Sequence, residues 1–74
     1  MAKKLSTLAH SLDFKEEVEY FDYCIDSFIN GNKSQCRDLF AAMRKDDRKS
    51  LLQYIQTREI GQKQEIYQFY FNLL

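Results

Sequence analysis

The sequence predicts an all-α protein, a compact bundle of four or five short helices forming a single domain over residues 1–74. Three observations carry that expectation. Proline is absent and only Gly31 and Gly61 punctuate the chain, while the good helix formers Leu, Lys, Glu, Gln and Arg are plentiful. Apolar residues recur at i, i+3, i+4 and i+7 in successive stretches. Finally, 45% of the residues are hydrophobic, with six Phe and five Tyr, so even 74 residues hold the material for a core.

Leu5, Leu8, Ala9 and Leu12 give the first short amphipathic helix. In the stretch DFKE, Asp13 is placed to cap the next helix while Glu16 reaches back, the pattern of a capping box. Phe14, Val18, Phe21, Ile25 and Phe28 then mark its apolar face, and Gly31 after Asn30 is its expected stop. Asn32 and Gln35 repeat the capping-box spacing ahead of a third stripe, Cys36, Leu39, Phe40 and Met43. Asp46 is the expected N-cap of a fourth helix, with Asp47 in its first turn. Leu51, Leu52, Ile55 and Tyr54 form its inner side, and it is expected to end near Gly61.

The segment EIYQFYFNLL supports two readings. Tyr67, Phe69, Phe71 and Leu73 alternate as a strand would, and aromatic residues favour strands. No other stretch offers a strand to pair with, and an unpaired strand leaves its backbone donors unmatched, so a helix is expected. Seven of the nine residues from Ile66 to Leu74 are apolar or aromatic, and none is charged. On a helix they fall into two stripes: Ile66, Phe69, Tyr70 and Leu73, assigned to the core, and Tyr67, Phe71 and Leu74, assigned to a seam between copies. A helix apolar around most of its circumference is normally covered on several sides.

Formal net charge is zero, but it is unevenly placed. Residues 13–26 carry Asp13, Glu16, Glu17, Glu19, Asp22 and Asp26 against Lys15 alone; residues 33–49 carry six basic side chains against three Asp. An acidic helix lying beside a basic segment is the expected arrangement. The start MAKKLSTLAHSL lacks the apolar run of a signal peptide, and nothing approaches a membrane span. A cytoplasmic protein without membrane attachment is therefore expected, with Cys24 and Cys36 as reduced, small apolar core residues.

Chemistry has few candidates. His10 is the single histidine, and the two cysteines have no metal-ligand spacing. Cys24 lies between Asp22 and Asp26, the opposite of the electropositive setting a nucleophilic thiolate needs. No EF-hand or glycine-rich phosphate loop occurs. No catalytic residue, metal or cofactor is expected. The sequence favours a protein–protein interaction module, an adaptor, inhibitor or accessory factor of the small kind common in phages and mobile elements. It is expected to bind a protein partner and to form a homo-oligomer through its last helix, with Tyr67, Tyr70, Phe71 and Leu74 as contact residues. Tyr20 and Tyr23 are further aromatic anchors in that reading. The alternative is a helix-turn-helix nucleic-acid binder built on residues 33–58, using Arg44, Arg48, Lys49, Gln53 and Gln56. Asp46, Asp47, the zero net charge and a turn without glycine weigh against it.

Overall fold

In the computed structural model, which describes residues 2–74, five helices follow one another with short connections. They are α1 (Leu5–Ser11), α2 (Glu17–Ile29), α3 (Lys33–Ala42), α4 (Lys45–Thr57) and α5 (Lys63–Phe71). The main packings are α1 on α2, α2 on α3, and α4 on α5. The acidic helix α2 thus lies against α3, which carries Lys33 and Arg37, two of the six bases of residues 33–49. An isolated bridge, in which Lys3 N–H donates to the Ala42 carbonyl at 3.0 Å, ties the N-terminal segment to the end of α3. The whole measures 28 × 22 × 22 Å.

Two helices end in the same way. Asp13 N–H donates to the His10 carbonyl and Phe14 N–H to that of Ala9; Gly31 N–H donates to Phe28 and Asn32 N–H to Ser27. Both are Schellman turns, which need a left-handed residue one past the C-cap. Gly31 supplies it with φ 80°, as expected, and Asp13 supplies it with φ 63°. Asp13 is thus the stop of α1 and not the N-cap of α2. The α2 N-terminus is capped instead by Glu19, whose carboxylate accepts the backbone N–H groups of Lys15 at 2.7 Å and Glu16 at 3.0 Å. Those bonds favour the ionised form and lower the Glu19 pKa.

Other caps also differ from expectation. Asn32 and Gln35 hydrogen-bond to each other through their amides, and no side chain caps the α3 backbone. Arg44 is the N-cap of α4, which places Asp46 and Asp47 together in the first turn, where carboxylates suit the helix dipole. This helix stops at Thr57, well before Gly61, and the left-handed residue ahead of α5 is Gln62, with φ 63°.

The core collects one face from every helix: Leu5, Leu8 and Ala9; Tyr20, Phe21, Cys24 and Ile25; Cys36, Phe40 and Met43; Leu51, Leu52 and Ile55; Ile66 and Tyr70. Leu12 drops out, exposed beyond the end of α1. In α2 the inner face is rotated from the expected stripe, so that Tyr20 and Cys24 are deepest while Phe14, Val18 and Phe28 flank them. Tyr20 is therefore a core residue and not a surface anchor. Its hydroxyl donates to the Leu39 carbonyl at 2.8 Å, joining α2 to α3. Tyr70 donates to the Cys24 carbonyl at 2.7 Å, joining α5 to α2, and Tyr54 donates to the Asp22 carboxylate, joining α4 to α2. Each buried phenol has a partner, and among the described residues no buried side-chain N or O lacks one.

Candidate interaction face

The α5 helix is a ridge. Ile66 and Tyr70 point into the core, with Phe69 and Leu73 half-buried beside them, as the first stripe requires. Phe71 and Leu74 of the second stripe are 50% and 52% exposed, although they are large and apolar. Tyr67 is half-buried and stacks on Phe71, ring centroids 6.0 Å apart and planes inclined by 22°. Tyr70 is fully buried and its hydroxyl is committed to Cys24, so it leaves the partner-contact set.

A second row runs along the outer side of α5. Gln64, Gln68 and Asn72, spaced i, i+4, i+8, are all exposed, and the Gln68 amide donates to the Asn72 side-chain oxygen at 3.1 Å. Sequence reading alone overlooks this row, although its spacing was visible. Apart from Lys63 and Glu65 in the first turn, the outer face of α5 is composed of amides and aromatics. Depletion of charge with enrichment of aromatics is the composition of interface cores.

Open depressions flank the ridge on both sides. Toward α4, Gln56, Lys63, Gln64, Tyr67 and Gln68 line one of about 420 Å³. Toward the α2–α3 corner, Phe28, Lys33, Glu65, Gln68, Phe69 and Asn72 border a shallow one that is nearly open to solvent. Its floor is the tilted pair Phe28–Phe69, with centroids 5.2 Å apart, and the Lys33 ammonium lies 5.7 Å from the Phe28 ring centroid.

The residues of the nucleic-acid alternative are dispersed in role. Arg48 is turned inward: its Nε donates to the carbonyls of Phe40 and Met43, each at 3.0 Å, and its Nη2 to that of Ala41 at 2.9 Å. The guanidinium also lies over the Phe40 ring at 5.6 Å. Arg48 thus closes the C-terminus of α3 and leaves the set of base or phosphate contacts. Arg44, Lys49, Gln53 and Gln56 are exposed. The main neighbour of α3 is α2 and that of α4 is α5.

His10 is exposed on α1, beside a shallow depression shared with Lys15, Glu16 and Glu17. Among the described residues, no group of three or more His, Cys, Asp or Glu side chains converges on a common point. Both cysteines are free and fully buried, and burial pushes both thiols up, away from the reactive thiolate. No described helix is long and apolar enough to cross a membrane. Comparison with protein-family models, curated proteins and solved structures finds no match to this chain.

Proposed function

We propose that this protein is a small, non-enzymatic interaction module of the cytoplasm that self-associates and meets its partners through the outer face of α5. The observation that carries the reading is the half-exposed pair Phe71 and Leu74 set in a strip without charge, on a protein of which 30% of residues are charged. Covering the remaining half of each side chain is worth about 1 kcal/mol or a little more. The stacked Tyr67 and the amides of Gln64 and Gln68 widen the strip, since amides both donate and accept and need no charged complement. The buried, unreactive thiols suit binding work better than chemistry.

Size-exclusion chromatography with light scattering tests the reading. The wild-type protein should run as a dimer, and Phe71→Ser with Leu74→Ser should run as a helical monomer by circular dichroism. A wild type that stays monomeric at high concentration sinks self-association.

A further inference from the structure

We propose that Cys24 and Cys36 are a latent dithiol, which a peroxide closes into a disulfide joining α2 to α3 when α5 lifts away from it.

Register comes first. Helices α2 and α3 are joined by the short turn at residues 30–32 and pack on each other as an antiparallel hairpin. Three side chains cross between them. The Tyr20 hydroxyl donates to the Leu39 carbonyl, the Gln35 amide donates to the Tyr23 hydroxyl, and the Cys36 Sγ lies 3.8 Å from the Cys24 carbonyl oxygen. All three contacts fit one antiparallel register to within a residue, and that register sets Cys24 level with Cys36. Both side chains are fully buried, so both face inward. Axes of packed helices lie about 8–10 Å apart and Cα atoms about 2.3 Å off their own axis, so level, inward-facing Cα atoms come within the roughly 4.4–6.8 Å that a disulfide accepts.

Cover comes second. The Tyr70 hydroxyl donates to the same Cys24 carbonyl at 2.7 Å, so the α5 phenol and the Cys36 thiol meet on one oxygen. Helix α5 packs mainly on α4 and reaches α2 through this bond and the Phe28–Phe69 ring pair. With α5 seated, both thiols are sealed from water, and burial holds them away from the thiolate form. With α5 lifted, peroxide reaches one sulfur. That thiolate attacks a peroxide oxygen, the O–O bond breaks, and a sulfenic acid forms while the departing hydroxide takes up the thiol's proton as water. The second sulfur attacks the sulfenic sulfur, the S–O bond breaks, and the oxygen leaves as a second water with the remaining protons. Two thiols are thereby oxidised and one peroxide is reduced to two waters. The new bond links positions 12 apart in sequence, and reducing thiols undo it, so in a reducing compartment it lasts only as long as the oxidant.

Graded hydrogen peroxide applied to the native full chain is the test. The sequence holds two cysteines, so a disulfide within one chain is this pair and no other. Mass spectrometry should show a monomer lighter by two hydrogens, with helical circular dichroism retained, and dithiothreitol should restore both thiols. The oxidised chain should melt roughly 10 °C higher, because the bond constrains the unfolded state. Tyr70→Phe should be oxidised up to roughly tenfold faster than wild type, since one bond holding α5 is gone. Tyr20→Phe, which loses a phenol bond between α2 and α3 instead, should stay within roughly twofold of the wild-type rate. Three results overturn the dithiol: thiols that stay free in the native chain while the urea-unfolded chain is oxidised, a product carrying added oxygen or joined to a second chain, or an oxidised chain that melts lower. Equal rates for the two tyrosine variants overturn the α5 cover.

Discussion

Asp13 and Gly31 hold the same place in equivalent turns, one residue past a helix C-cap with positive φ. An L side chain there costs roughly 1–2 kcal/mol, and less for Asp than for most. A Cβ built on Gly31 meets nothing within 4 Å, so Gly31→Ala reports the backbone alone and should lower stability by about 1 kcal/mol. Asp13→Gly should raise it by up to about 1 kcal/mol. Urea titrations that moved both variants in the same direction would refute the equivalence of the two turns. Arg48 carries the second expectation. Its three bonds to the carbonyls of Phe40, Ala41 and Met43 are charge-assisted, and such bonds contribute about 1.5–3 kcal/mol. Arg48→Met should therefore lower the melting temperature, with a loss of about 2 kcal/mol or more. Neither role was legible. DFKE matches a capping box letter for letter, and only the backbone bonds of the neighbouring turn show that Asp13 closes the previous helix. Arg48 sits among other bases on a helical surface, and nothing local says that the end of α3 lies within its reach.

Helices were more legible than their faces. Five periodic runs became five helices because each has an apolar stripe that neighbouring stripes can cover. The α2 stripe was read through Phe and Ile, whereas Tyr20 and Cys24 lie deepest, because a phenol with a carbonyl to bond is as comfortable inside as a phenylalanine. In α5 the division into an inner and an outer stripe was visible from spacing alone, and the structure keeps it; Tyr70 lies buried in the inner stripe and so is not a contact residue. The flanking depression was not visible, since it needs Phe28 and Lys33 brought beside residues 65–72 by tertiary packing. Truncating the inner stripe tests the weight of this element. Ile66→Ala, at a fully buried site, should cost about 2–5 kcal/mol, enough to leave so small a bundle marginal. Far-ultraviolet circular dichroism during thermal melting reads the loss. A melting temperature close to that of the wild type would show that α5 contributes little to the fold.

For the molecule as a whole, three phenols bind the helices together and all three are shifted upward. Burial, the hydrogen bond to Asp22 and its negative charge push Tyr54 from 10.0 to about 12. Burial first, then the neighbouring Cys24, raises Tyr20 and Tyr70. A pKa raised on folding means that the native state holds its proton more tightly than the unfolded chain. The corresponding stability is fully present below pH 10 and is lost as pH rises from about 10 to about 12 for Tyr54. Alkaline titration should accordingly give a cooperative loss of helix in that window, accompanied by a rise in tyrosinate absorbance. Tyr54→Phe should make stability less dependent on pH between about 10 and about 12, because it removes one of the groups whose ionisation favours unfolding. Smooth, non-cooperative titration of every tyrosine with helix intact would contradict the phenol ties.

The bolt between Tyr70 and Cys24 spans 46 positions of sequence. As the polypeptide emerges from a ribosome, α1, α2 and α3 are available to one another long before α5 exists. Their inner faces meet with Ile66 and Tyr70 still missing, and the Cys24 carbonyl waits for its donor. Synthesis therefore passes through a period in which three helices expose the apolar centre of an unfinished molecule. The fifth helix closes it, so the nascent chain stays vulnerable to proteases and to sticking until α5 has been made.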